Sequence, residues 1–463
     1  MNYTKENLVL FVFFAAFFNS PGVMSQNATL ESYVEEGLEH NISLQQKEKD
    51  YLQSLEKLKQ AKSYFYPAAS FHARYSRADG GRTFDVPVGD LLNPVYSTLN
   101  TLTQSNDFPT IENQEYAFLR SKEHETKVRV TQPLINGEIF YNKKINDQLV
   151  KLSMASRDDY KHQLVAEIKL SYFDYLKALS LQDILDYTTE LLDENLRVAE
   201  KLYQNDKVTR EHIYQAEAEI AKNEAAMAEA RERVHTARAY FNFLLNRDLN
   251  EEIIVDTTFN DVSFFRDVDE QKQKAQANSF GIKAAEYARD AQAYNYKLKK
   301  SRYAPELSLV FDYGFQGENY TFDHQHDFYI ASLVLEWPLF RGMYRKSAVQ
   351  EAAIRHDKQK LIVRQMQQKT ELDVTKAWYG VQMAKDQYIA AKKSFTALNS
   401  AFRVTERKYK EGMTTQIAFI DALNSRRRAM EQKVIANYNL YQKISELERV
   451  TAVADINEKN KNQ

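Results

Sequence analysis

Asp323-His324-Gln325-His326-Asp327 has the residue types and spacing of a metal site: two imidazoles at alternate positions, flanked by carboxylates, can reach one ion. The same residues lie between two strand-like runs, where a solvated polar loop is the expected reading, and no metal is assigned to them. Other chemistry is missing from the 463 residues. There is no cysteine, which excludes disulfides, thiolate metal sites, a cysteine nucleophile and a lipid-modified N-terminal cysteine. No phosphate-binding loop, nucleophile elbow or glycine-rich dinucleotide turn is present. The chain therefore reads as a non-enzyme, with no catalytic residue and no cofactor. A formal charge of −2 argues against nucleic acid as a partner, since such binders are normally basic.

The elements around these residues carry more information. With only 12 Gly and 8 Pro, the chain must consist of long regular elements joined by few turns. At the N-terminus, Lys5 precedes an apolar run of 11 residues from Leu8 to Phe18, and "NSPGVMSQ" follows. This is the pattern of an export signal over residues 1–25, cleaved near Ser25, because 11 apolar residues fall short of the roughly 20 that span a bilayer. No later window is apolar enough for a membrane helix, so any membrane crossing would fall to β-strands.

Two periodicities then alternate. Helical spacing runs from Thr29 to Ser63. Around "SFHARYSR", Phe71, Ala73 and Tyr75 alternate with His72, Arg74 and Ser76, a period of two that suits a strand with one apolar face. A turn-rich stretch over residues 78–110 holds Gly80, Gly81, Pro87, Gly89, Pro94 and Pro109. Alternation resumes with Val128 and Val130 against Lys127, Arg129 and Thr131, and Pro133 is expected to stop it. After Gly137 a helix of about 67 residues is expected, with Val165, Ile168, Tyr172, Tyr175 and Leu179 at coiled-coil spacing. "YQNDKVT" at Tyr203 breaks it, and a second helix returns to about Leu245.

The order then repeats. A helix from about Asp267 to Ser301 leads into Leu307, Leu309, Phe311, Tyr313 and Phe315, which alternate with small or polar residues. "EWPLFRG" at Glu336 matches "TQPLING" at Thr131. A helix follows with Val374, Trp378, Val381 and Tyr388 at heptad positions, then "YKEGMTT" at Tyr409 and a returning helix to about Ala452. Pro133 and Pro338 are displaced by 205 residues, Tyr203 and Tyr409 by 206, and Pro67 and Pro305 by 238. Such regular offsets mark a tandem duplication. The first repeat covers 26–246, with a helix, a β-hairpin at about 67–133 and a long helical hairpin at about 137–246. An irregular connection occupies 247–266. The second repeat covers 267–452, with its β-hairpin at about 305–338 and its helical hairpin at about 342–452, before a polar tail at 453–463.

Strands of about 10 residues have the length that crosses a membrane as tilted β-structure. Four of them cannot close a barrel, for which eight is the minimum, and open edges are not tolerated in hydrocarbon. If the strands are membranous, several copies must pool them. The abundance of aromatic residues, 29 Tyr and 26 Phe, fits interfacial girdles and coiled-coil packing.

The duplicated Pro-Leu-apolar-x-Gly after a strand, the long helical hairpins, and "YKEGMTTQIAFIDAL" together resemble the TolC family of outer-membrane efflux proteins, over about Thr29 to Ala452. The resemblance implies a mainly α chain with membrane β: a long coiled-coil barrel in the periplasm and a β-barrel shared between protomers, four strands per chain. It implies a homotrimer in the outer membrane, in contact with lipid, that passively conducts cargo from a periplasmic adaptor protein and an inner-membrane RND, ABC or MFS-type transporter. An exported structural coiled-coil protein is the alternative. Pro133, Gly137, Pro338 and Gly342 would mark the barrel-to-tunnel junctions. Tyr409, Gly412, Thr415 and Asp421 would form the periplasmic entrance constriction, Asp421 being either a pore-lining acid or a solvated helix-face carboxylate. The family's other entrance acid is replaced by Ala418. In the first tip Asp206 stands for the glycine and His212 for a carboxylate, with Glu211 beside it, so the family's gate wiring does not carry over.

Overall fold

The computed structural model describes residues 28–256 and 267–451. The expected signal at 1–25, the second half of the connection at 247–266 and the tail at 453–463 lie outside the described residues. The first half runs α1 (Ala28–His40), α2 (Ile42–Ser63), β1 (Ala68–Arg77), β2 (Thr83–Val86), α3 (Val88–Thr103), β3 (Gln114–Ala117), β4 (Lys122–Ile135), α4 (Gly137–Gln204) and α5 (Glu211–Leu245). The second runs α6 (Val268–Asn278), α7 (Phe280–Ser301), β5 (Glu306–Gly317), β6 (Asp327–Glu336), α8 (Tyr344–Lys410) and α9 (Gln416–Thr451). Helices α4 and α8, of 68 and 67 residues, meet the expected length and each contain about 100 Å of helix. No helix among the described residues is long and apolar enough to cross a membrane.

The chain divides into two compact units. One comprises residues 43–160 and 276–372 and contains all six strands. Its four-stranded sheet has the order β1-β4-β5-β6, every neighbouring pair antiparallel. The pairing register brings the two expected alternations together. Phe71, Val128 and Tyr313 lie opposite one another on one face, while Ser70, Arg129 and Asp312 share the other. The apolar face is exposed along β5 and β6, with Leu309, Phe311, Tyr313, Tyr329, Leu333 and Leu335 all more than two-fifths accessible. A surface this apolar in a single chain calls for a partner phase or partner molecule. Strands β1 and β6 are the sheet's edges, each with one unpaired row of backbone groups.

Two expectations for the first hairpin are corrected. Pro133 does not stop β4, which continues to Ile135 with a register shift between the two residues; a bulge absorbs the missing donor. The turn-rich stretch at 78–110 is not a plain loop, since it contains α3 and β2, and β2 pairs with β3 just beyond it. Pro87 caps the start of α3, where the backbone N–H it lacks would have had no intrahelical acceptor; Gly89 leaves room for Ile111 O, which a Cβ would meet at 2.3 Å, and two asparagines then clamp the helix. Asn93 exchanges hydrogen bonds of 2.8 and 2.9 Å with the Ile111 backbone, and Asn100 does so at 3.2 and 2.8 Å with that of Phe108.

The other unit holds the described residues up to 42, those of 161–275 and those from 373 onward. Its core contains the expected knobs Val165, Ile168, Tyr172 and Tyr175, with Leu176 rather than Leu179 fully buried. Tyr172 and Tyr33 pin the stretch after α5: the Tyr172 hydroxyl donates to Ile254 O (3.1 Å) and accepts from Asp256 N (3.0 Å), and the Tyr33 hydroxyl accepts from Ile254 N (2.8 Å). Burial pushes the Tyr172 hydroxyl up to about 12, so it stays protonated in this network. In the second repeat Val374 and Val381 are buried, and Trp378 and Tyr388 pack against the cluster that holds Val381.

The helix expected from Thr29 to Ser63 is split at Asn41, and the one from Asp267 to Ser301 is split at Ser279. These breaks are 238 residues apart, the same displacement as Pro67 and Pro305. The duplication therefore preserved a helix interruption that periodicity alone did not reveal. Asn41 Nδ2 donates to Leu244 O (2.9 Å), and the Ser279 hydroxyl caps α7 by accepting from Ile282 N (3.2 Å).

Candidate functional site at the hairpin tip and strand-to-helix junctions

At the first junction, Asn136 caps α4, its Oδ1 accepting from Ile139 N at 3.0 Å. Gly137 is the first residue of that helix, and its φ is not positive. What forbids a side chain there is proximity: a Cβ would come within 2.6 Å of Ser301 Cβ on α7. At the second junction β6 ends at Glu336, just before Pro338, as a residue without a backbone donor predicts. Gly342 has φ +59 with open space around it, so there the backbone itself requires glycine. The two matched glycines thus answer different constraints. Arg345, on the first turn of α8, donates to Pro338 O, and its guanidinium lies 5.6 Å from the Tyr303 ring centre. Trp337 Nε1 donates to Tyr303 O at 3.0 Å, fixing the same corner.

The turn between α8 and α9 explains three of the four tip residues locally. Gly412 (φ +71) ends α8, with Gly412 N donating to Tyr409 O (3.0 Å) and Met413 N to Lys408 O (2.7 Å). The Thr415 hydroxyl then starts α9, accepting from Ala418 N at 3.3 Å. The first tip reproduces this stop: Asp206 N donates to Tyr203 O (3.0 Å) and Lys207 N to Leu202 O (2.9 Å), with Asp206 held at φ +55. An aspartate occupies the left-handed position that glycine fills in the copy.

Tyr409 faces inward. Its ring stacks on Phe419 with 4.7 Å between centres, beside buried Leu192, Phe402, Ile420 and Leu423. Its hydroxyl accepts from Asn195 Nδ2 at 3.1 Å, and burial raises its pKa against the opposing effect of that bond. Gln416 Nε2 reaches both Asn195 Oδ1 (3.0 Å) and His212 O (2.9 Å). Asn195 and Gln416 were not singled out from the sequence, although a polar residue at a heptad position of α4, between Leu192 and Ala199, was the available signal. His212 joins through its carbonyl, while its ring lies 3.5 Å from the Thr209 hydroxyl. Asp421 is exposed, one turn beyond Ala418, and no ion pair or side-chain hydrogen bond holds it among the described residues. The arrangement is a neutral amide–hydroxyl network under a ring stack. It contains no nucleophile–base pair.

The Asp323–Asp327 stretch divides into two separate His–Asp contacts, His326 with Asp323 at 2.5 Å and His324 with Asp327 at 3.5 Å. No group of three or more metal-ligating side chains converges among the described residues.

Residues 272–453 match the family model described as outer membrane efflux protein. Curated proteins give no match to the sequence. Solved structures do share the fold. The outer membrane protein VceC of Vibrio cholerae is 14% identical with a TM-score of 0.75, the alignment covering 92% of this chain and 96% of that one. The outer membrane channel CmeC of Campylobacter jejuni is 15% identical, TM-score 0.75, with coverages of 92% and 85%. The outer membrane channel MtrE of Neisseria gonorrhoeae, in an open state, is 17% identical, TM-score 0.72, with coverages of 91% and 88%. Over residues 272–453 the chain is thus similar in sequence to outer membrane efflux proteins, and over nine-tenths of its length it shares the fold of solved outer-membrane channels.

Proposed function

We propose that three copies of this chain pool their four-stranded sheets into one barrel in the outer membrane and their long helical hairpins into a periplasmic tunnel. Through it, cargo passes passively from an inner-membrane pump and its periplasmic adaptor to the outside. One observation carries this reading: a sheet with an exposed apolar face, a charged opposite face and two open edges. Closing the edges on further copies satisfies every backbone group, places the apolar face toward lipid and turns the Arg129–Asp312 face toward water. The second repeat's family match supports the same assignment. A purely structural coiled-coil protein would have no use for such a sheet.

In this reading Pro133, Gly137, Pro338 and Gly342 lie where barrel passes into tunnel, and the turn with Tyr409, Gly412 and Thr415 lies at the entrance. The test is fractionation followed by reconstitution. The protein is expected in carbonate-resistant outer membranes, and the purified oligomer is expected to give discrete conductance steps in a planar bilayer. A soluble periplasmic product, or an oligomer that never conducts, removes this function.

A further inference from the structure

His124, on β4, is fully buried, yet neither of its ring nitrogens has a hydrogen-bond partner among the described residues. Such a group is costly, because it has left water without replacing the bonds made there. Aromatic rings enclose it. Tyr320 stacks on the imidazole with 4.4 Å between centres, Phe322 lies 6.1 Å away, and Tyr75 stacks in turn on Tyr320 at 5.9 Å. Tyr320 and Phe322 belong to the turn at 318–326, which joins β5 to β6.

Gly317, the residue opposite His124 on β5, shows what the imidazole edge faces. A Cβ at Gly317 would lie 2.9 Å from His326 Cδ2, 3.5 Å from His124 Nε2 and 3.6 Å from Asn319 O. Two imidazoles and a backbone oxygen therefore border the space that a side chain would fill. His326 is oriented for it. Its Nδ1 lies 2.5 Å from Asp323 Oδ1, and an ionised carboxylate only accepts, so Nδ1 carries the proton. Nε2, bonded to Cδ2, then keeps its lone pair. This carboxylate–imidazole contact is the kind that orients metal-binding histidines. His324, the other histidine of the same stretch, is fully exposed and does not border the space.

We propose that His124 Nε2, His326 Nε2 and Asn319 O bind a divalent transition-metal ion in the space beside Gly317, with water completing its coordination. Imidazole nitrogens suit Zn²⁺, Cu²⁺ and Ni²⁺, whereas Ca²⁺ and Mg²⁺ take oxygen ligands. Metal–imidazole bonds are about 2.0–2.1 Å for zinc, so the turn at 318–326 closes slightly on β4 as the ion binds. The ion gives buried His124 Nε2 the partner that it lacks, and it ties a turn of the second repeat to a strand of the first. All three ligands belong to one chain. The site therefore stands or falls independently of the ring assembly and of conduction.

The test is a Cu²⁺ titration of the full-length protein, purified without a histidine tag and followed by electron paramagnetic resonance. One Cu²⁺ per chain is expected, with splitting from two imidazole nitrogens, and excess Zn²⁺ should displace it. His124→Phe keeps the ring stack and should remove the two-nitrogen signal. Should that variant fail to fold, two changes at the turn decide instead. His326→Gln should also remove the two-nitrogen signal, and Gly317→Ala should abolish binding by filling the space while both histidines remain. Asp323→Asn should weaken binding by about 10–100-fold through the orientation of His326. His324→Gln should change nothing. Zn²⁺ should raise the melting temperature of the parent protein, because it binds only the folded chain, and should not raise that of His326→Gln. No binding at chain stoichiometry overturns the site. A one-nitrogen signal in the parent protein, or one that survives His326→Gln and Gly317→Ala but is lost with His324→Gln, places the ion on the turn's surface and overturns it as well.

Discussion

Arg129 and Asp312, 183 residues apart, are joined by two parallel hydrogen bonds of 2.7 Å, Nε to Oδ1 and Nη2 to Oδ2, across strands β4 and β5. These strands belong to different halves of the duplicated chain, so the pair fastens one repeat to the other in register. Lys127 Nζ stands 3.5 Å from the same carboxylate and 2.5 Å from Glu125.

Asp312→Asn is expected to lower the thermal stability of the purified protein, because Arg129 and Lys127 would then face one another without the charge between them. Replacing both partners, Arg129→Leu with Asp312→Leu, should be less harmful than the single change, since no unpaired charge is left in the sheet. Melting of the three proteins, followed by circular dichroism, decides the order. A double variant weaker than Asp312→Asn would assign the pair a larger role than register.

The junction glycines should respond differently to the same substitution. Gly342→Ala forces an L side chain into the left-handed region, a cost on the order of 1–2 kcal/mol that no neighbouring truncation relieves. Gly137→Ala instead collides with Ser301, and Ser301→Gly in the same chain should recover most of the loss. Yield and melting of the two single variants and the rescued pair are the readouts. Rescue of Gly342→Ala, or none for Gly137→Ala, would reverse the assignment.

The two tips make a matched comparison. Asp206→Gly should stabilise the protein slightly, by about 0.5–1 kcal/mol, because it relieves a left-handed aspartate at some cost in chain entropy. Gly412→Ala should destabilise by about 1 kcal/mol. Because both turns carry the same pair of backbone bonds, a change of opposite sign at either site would mean that the turn conformation is not held.

Asp421 is exposed and has no ion-pair partner among the described residues, which suits either a pore-facing acid or an ordinary solvated carboxylate. In the proposed trimer, three copies around one axis would favour cations, as like charges in a narrow passage act more strongly than in bulk water. Asp421→Asn should then raise relative anion permeability and weaken block by multivalent cations, whereas Glu411→Gln should do little. Identical reversal potentials for the parent protein and Asp421→Asn would leave Asp421 a solvated carboxylate.

The sequence by itself determined the repeat, the long helices and the two faces of the sheet. Those features rest on periodicity and on the scarcity of glycine and proline, which act locally. It also located the tip turns, because a left-handed helix stop and a threonine cap are written in adjacent residues. What it left open depends on neighbours distant in the chain. Whether Gly137 is needed for its backbone or for the approach of Ser301 follows from how α4 meets α7. Helix α3 was hidden because its prolines and glycine read as turns until Asn93 and Asn100 were seen to clamp it against 108–111. Asn195 and Gln416 became tip residues only when folding brought α4 beside α9, since hydrogen bonds between residues 221 positions apart leave no local pattern. The pairing of Arg129 with Asp312 likewise required the sheet's register, which strand alternation restricts to one face but does not choose.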